Sequence, residues 1–175
     1  MRVDSSLIHR LFYPQVPLVM AAQHRGRVSA MPVVSYLSVS EKPPMVGVGC
    51  MPTGFTCTLA LKARAFSLSV LDRSQSDAMA KLASASGAKI KDKLSEAGLP
   101  HSIGRRWKVP VLKDALATIE CRLAATPRFG DHLVLVGEVV AARASDAFSN
   151  SWDFNRYRPM LYTGWRDGLT FYGSP

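Results

Sequence analysis

Apolar positions in this chain recur mostly in short alternating runs, the spacing of strands rather than of long helical stripes. Val16–Ala22 reads as a strand, and His24–Arg27, with Gly26, as a turn into the next. Val28–Val39 continues as that strand with Pro32 inside it, which places it at an edge, a strand start or a bulge. Lys42–Pro43–Pro44 is a rigid break. Met45–Cys50 is β-branched and glycine-rich, a strand that something approaches closely. Ala65–Leu71, Ala115–Arg122 and Leu133–Ala144 continue the pattern, the last two joined by a turn around Pro127–Asp131. Met160–Trp165 and Leu169–Tyr172 form a closing hairpin around Arg166, Asp167 and Gly168.

Helical spacing appears in four places. Leu7, Ile8 and Leu11 follow a cap at Asp4 or Ser5. Thr56–Ala63 carries Leu59, Ala60 and Ala63 on one face, with Thr56 as its N-cap. Ser76 or Asp77 caps a helix bearing Ala78, Met79, Leu82 and Ala83 that closes at Gly87. Ile90, Leu94 and Ala97 mark another, stopped at Gly98, whose lysines 89, 91 and 93 read as a solvated face. His101–Pro110 and Ser145–Pro159 read as irregular. Strands joined by short turns, rather than each followed by a helix, pair antiparallel, and seven or so of them close best as a barrel.

Composition narrows the function. With 175 residues and 47% apolar content, one domain spanning 1–175 is expected. The longest apolar stretches, Pro17–Ala22 and Leu133–Ala142, fall short of the ~18 residues a membrane helix needs, so no membrane association is expected. No charged-then-apolar leader opens the chain, and none of its three cysteines sits in a CxxC, which together suit a cytoplasmic protein. The net charge is +9, and residues 62–108 hold 10 basic groups against 4 acidic, a field that draws anions. Zinc-finger, RNP and basic-zipper patterns are missing, so a nucleic-acid partner is not expected. The usual hydrolase, zinc-protease and P-loop motifs are missing too. The four histidines and three cysteines lack metal-ligand spacing.

One ordered series of short motifs says more. Gly26-Arg27-Val28-Ser29-Ala30-Met31-Pro32-Val33-Val34-Ser35 is followed by Lys42-Pro43-Pro44-Met45-Val46-Gly47-Val48 and by Met51-Pro52-Thr53-Gly54-Phe55-Thr56. Phe66-Ser67-Leu68-Ser69-Val70, Ser86-Gly87, Asp92-Lys93-Leu94 and Leu116–Cys121 come next. Gly130-Asp131-His132 then precedes Val136-Gly137-Glu138-Val139-Val140, and Pro159-Met160-Leu161-Tyr162 comes before Gly164. In order and spacing, over about residues 10–173, the series resembles the flavin reductase-like family of FMN-binding split barrels. It departs from that pattern at Ser29 and Ser69, where the family often has Asn, and at Tyr36, where it often has Trp.

The resemblance implies a mainly β chain with helical insertions, folded as an antiparallel, Greek-key type split β-barrel. It implies FMN as cofactor, with FAD as the alternative flavin, and NADH or NADPH as reductant. Ser29, Ala30, Met31 and Pro32, with Ser35, Tyr36 and Leu37, would then line the flavin ring, although Pro32 has no N–H to donate. Cys50, Met51 and Thr53 would lie near the ribityl chain, and Thr56, opening a helix, would meet the phosphate, with Lys62 or Arg64 adding charge. His132 would stand where nicotinamide docks. Cys50 and Cys57 read as small packing residues. Trp152, Phe154 and Tyr157 would stack on a ligand or pack a subunit interface. The implied assembly is a homodimer serving a partner oxygenase or another electron acceptor. The implied activity is hydride transfer from nicotinamide to flavin, with a flavoredoxin-like electron carrier as the alternative.

Overall fold

The first strand of the chain is a continuous apolar run because both its faces are covered. The computed structural model describes residues 2–165 and 169–172. Asp4 accepts from the Ser6 N–H and starts a 3-10 turn, Ser5–Phe12. Then come β1 (Leu18–His24), β2 (Arg27–Val33), β3 (Tyr36–Glu41), β4 (Pro44–Cys50), α1 (Phe55–Ala63) and β5 (Ala65–Val70). The insertion holds α2 (Ser76–Ser84), α3 (Lys93–Glu96), β6 (His101–Ile103) and β7 (Pro110–Leu112). The chain continues with β8 (Ala117–Ala125), β9 (Arg128–Phe129), β10 (His132–Ala144), β11 (Leu161–Trp165) and β12 (Leu169–Tyr172). Residues 166–168 of the expected hairpin turn lie outside the described residues.

The main sheet runs β2-β1-β5-β8-β10-β4-β3, with β9 beside β10, and its strands pair antiparallel. β2 and β3 are consecutive in the chain yet lie at opposite ends of that order. The sheet therefore curls until its two edges face each other without pairing, which makes it a split barrel. The single run expected at Val28–Val39 is broken for this reason. At Val34–Ser35 the chain leaves one edge and joins the other, and the Gly49 N–H donates to the Ser35 carbonyl at 2.7 Å. The Tyr36 hydroxyl donates to the Val16 carbonyl at 2.7 Å and ties the two margins together.

Two cores flank β1. Leu18, Met20 and Ala22 face the barrel interior with Val48, Leu59, Phe66, Leu123 and Leu135, where α1 plugs one end. Val19 and Ala21 face outward to Leu71, Met79, Leu82, Leu94 and Met160. A strand buried on both faces loses its alternation, hence the unbroken run from Val16.

The insertion departs most from the expected pattern. Asp72 caps a 3-10 turn, Arg73–Gln75, accepting from the Ser74 N–H at 2.9 Å in a capping box with Gln75, and α2 follows with Gln75, not Ser76 or Asp77, at its cap position. α2 ends at Ser84, before Gly87. α3 is only four residues long, capped by Asp92 and stopped by Gly98 at φ +77°. Ile90 lies outside it, and Lys93 is buried rather than part of a solvated face. His101–Pro110 contains β6 and the start of β7, its partner in a small hairpin, where irregular chain was expected. Trp152 packs on Phe148 and Tyr157, with ring centroids 5.1 and 4.7 Å away. Phe154 stacks on Tyr157 at 6.1 Å, so the late aromatic loop packs largely on itself.

Candidate functional site

β2 organises the site. Arg25 and Gly26, both at positive φ, make the two-residue turn from β1, so His24 and Arg27 close the hairpin as a hydrogen-bonded pair. Alternation then turns the backbone polar groups of Val28, Ala30 and Pro32 away from β1, toward the open edge. Val28 finds a partner there, donating to the Lys91 carbonyl at 2.9 Å. Pro32 falls at a position where no ladder bond is lost, which is why an edge strand tolerates it.

The start of β2 is sealed. Ser29 and Thr56 are buried, and their hydroxyl oxygens lie 2.8 Å apart in one hydrogen bond. Gly87 rests on this pair: a Cβ there would come within 2.2 Å of Ser29 Oγ and 3.0 Å of the Phe55 ring. Arg27 holds the same loop, donating to the carbonyls of Gly87, Ala88 and Ile90 at 3.1, 2.7 and 3.2 Å. Its guanidinium stacks 4.6 Å above the Phe55 ring. The helix cap is Gly54, not Thr56, so Thr56 sits one residue inside the first turn of α1. A hydroxyl donates once and accepts twice. Thr56 bonded to Ser29 therefore keeps hydrogen-bonding capacity for a further partner at this helix N-terminus.

The far end of β2 is open. A cavity of about 300 Å³ lies against Met31, Pro32 and Val34, walled by Tyr13, Tyr162, Leu82 and Lys93. A neighbouring hollow of about 340 Å³ shares Tyr13 and Val34 and is lined by Ser35, Tyr36, Leu37 and Gly49. The expected ring-lining residues thus fall on both sides of the β2–β3 connection. Ala30 differs: it is fully enclosed against α2 and α3, and its side chain meets neither space.

Lys93 is the residue that the sequence reading misplaced. It is 5% exposed and lines both the first cavity and a second hollow shared with Lys81, Ser84 and Glu96, and its side chain makes no hydrogen bond or ion pair among the described residues. Burial pushes its ammonium below the ordinary lysine pKa. Its position four residues before the buried Ala97, on one helical face, was the available signal.

The other candidate residues scatter around this strand. Met51 and Thr53 are exposed in the loop between β4 and α1. Cys50 points into the barrel core, its Sγ 2.7 Å from Cys57 Sγ, and that bond, with burial, pushes the Cys50 thiol up. His132 opens β10, where Leu133 pairs with Cys50, so it stands at the level of Met51. Its Nδ1 lies 2.8 Å from Asp131 Oδ1, and that bond holds the Asp131 carboxyl below its usual range. Lys62 and Arg64 belong to the opposite end of α1, about 9 Å or more along the axis from Thr56, too far to share a ligand group with it.

An apolar slot about 300 Å³ in volume, bordered by an open strand edge and the Lys93 side chain, fits a planar heteroaromatic ring. The first turn of a nine-residue helix, beside the Thr56 hydroxyl, fits a phosphate. Between Pro32 and Ser29 the strand advances about 10 Å, a separation suited to a ring and a phosphate joined by a five-carbon chain.

Comparison with known proteins agrees. The sequence model of the flavin reductase like domain matches residues 9–166. An uncharacterized protein of Aeropyrum pernix is 31% identical over 93% of this chain, which spans 62% of that protein's length. The NADH-dependent flavin reductase StyB of Pseudomonas fluorescens is 28% identical, over 99% of this chain and 92% of its own. A crystal structure of an FMN-binding protein from Thermus thermophilus superposes with a TM-score of 0.80 at 32% identity, covering 98% of this chain and 94% of that one.

Proposed function

From the chain's membership of the flavin reductase like domain family, we propose that it binds FMN and accepts hydride on it from NADH. The observation that carries this reading is the apolar cavity at the open edge of β2, in line with a phosphate-suited helix N-terminus. The flavin supplies the two-electron chemistry. Met31, Pro32, Val34, Leu82 and Tyr13, which line the cavity, would hold the ring by apolar contact. Ser29 orients the Thr56 hydroxyl, which donates to the phosphate together with the N–H groups of the first turn of α1. His132 stands clear of the ring pocket and positions the nicotinamide, with Asp131 fixing its imidazole. No side-chain acid or base is needed for a direct hydride transfer.

NADH is supported by the name of the Pseudomonas fluorescens relative, and FMN by that of the Thermus thermophilus structure. A homodimer is supported by the unpaired apolar side chains of β3, Leu37 and Val39, and of the first turn, Leu11 and Phe12, all exposed. Reduced flavin leaving the site needs a consumer, an oxygenase or another electron acceptor. A cytoplasmic location suits that exchange, and no helix among the described residues is long and apolar enough to cross a membrane.

The test is the absorption spectrum of the purified protein with added FMN, followed by NADH without oxygen. Bound flavin that bleaches rapidly is the expected result. Bound flavin that stays oxidised assigns the chain as an electron carrier, and failure to bind flavin overturns the reading.

A further inference from the structure

The geometry points to Cys50 and Cys57 as an oxidisable dithiol, which hydrogen peroxide joins in a disulfide that closes the loop between β4 and α1. The inference goes beyond the flavin reading and stands without it. Cys50 ends β4, and Cys57 lies in the first turn of α1, with residues 51–54 between the two elements. Their Sγ atoms are 2.7 Å apart, and the Cys50 thiol donates to Cys57. The two side chains are thus already aimed at each other across the end of the barrel core. Among the described residues no third His, Cys, Asp or Glu completes a metal site with them, so thiol chemistry is what the pair offers.

A buried cysteine is ordinarily inert, and three features set this pair apart. Cys57 sits at the N-terminus of a nine-residue helix, whose free N–H groups favour a thiolate, and the hydrogen bond from Cys50 pushes its pKa down. Cys50 stands ready as the resolving thiol. Cys50 also keeps 3% exposure and adjoins the exposed Met51, the side from which a molecule as small as peroxide enters. Cys121 is the contrast: it lies in the same core, burial and the Glu120 carboxylate push its thiol up to about 12, and its sulfur has no hydrogen bond among the described residues. In the first step Cys57 Sγ attacks one peroxide oxygen, the O–O bond breaks, and water leaves with the Cys57 proton, giving a sulfenic acid. Cys50 Sγ then attacks Cys57 Sγ, the S–O bond breaks, and the Cys50 proton departs in a second water. The two thiols lose two electrons, and peroxide is reduced to two waters.

The test treats the purified full chain, freed of reductant and without added flavin, with hydrogen peroxide. The protein is then denatured, its thiols are alkylated, and its peptides are mapped by mass spectrometry. Methionines also gain oxygen, so the readouts are the thiol count and the linked peptide rather than the intact mass. Two of the three thiols are expected to be lost, with a Cys50–Cys57 linked peptide that dithiothreitol abolishes. Cys121→Ala is expected to keep the link, and Cys50→Ala and Cys57→Ala to lack it. The wild-type map decides the matter even if a core variant fails to fold. Three thiols remaining after a peroxide exposure that fully oxidises free dithiothreitol would overturn the inference. So would sulfinic acid at one cysteine in place of the link, or a link that uses Cys121 or a second chain. None of these outcomes bears on whether the protein binds flavin.

Discussion

The two ends of β2 use polar groups in opposite ways. At its start, Ser29 and Thr56 satisfy each other in a buried hydrogen bond, Gly87 covers them, and Arg27 fastens the covering loop to three carbonyls. At its other end, Lys93 is equally buried but has no partner, and the space before it is open. A satisfied polar cluster adds stability and fixes geometry. A charge that forms no ion pair and keeps solvent contact adds no such stability and stays available to a ligand of opposite sign. The difference teaches that one strand carries both an anchor built for the fold and a vacancy suited to a ligand.

Substitution at Gly87 breaks the sealed end most severely. In Gly87→Val the new side chain collides with Ser29 Oγ and the Phe55 ring, and a loss of about 3 kcal/mol is expected in denaturant unfolding. Unchanged stability would mean that the loop does not rest on this pair. Thr56→Ala is milder. It leaves the buried Ser29 hydroxyl without its partner and is expected to cost about 1–2 kcal/mol. It also separates anchoring from binding: FMN affinity should fall more than riboflavin affinity, and an equal loss for both would remove Thr56 from the phosphate. His132→Ala, at neither end of β2, is expected to leave stability and FMN affinity nearly unchanged while slowing anaerobic reduction by NADH. Stopped-flow traces with the wild-type rate would take His132 out of the reaction.

The same contrast separates what the sequence made legible from what it hid. The strands could be read because a β1 covered on both faces and an edge-bound Pro32 leave local marks. The break at Val34–Ser35 could not, because it follows from the curl of the whole sheet, and no local residue pattern records where two distant edges meet. Thr56 was legible as a residue at a helix start, but its displacement from the cap by Gly54 depends on the loop before it. Lys93 was misread because a lysine in a lysine-rich stretch is usually solvated. Only packing against β2 and α2 reveals that this one is enclosed. The insertion was the least legible part: its helices are short, and the capping residues Asp72, before the 3-10 turn, and Asp92, before α3, lie outside the apolar periodicity.

The measurement that tests the account most directly is a crystal structure of the protein with FMN bound. The account predicts the ring against Met31, Pro32 and Val34 and the phosphate at Thr56 and the first turn of α1. FMN seated instead in the neighbouring hollow of Ser35, Tyr36 and Leu37 would contradict it.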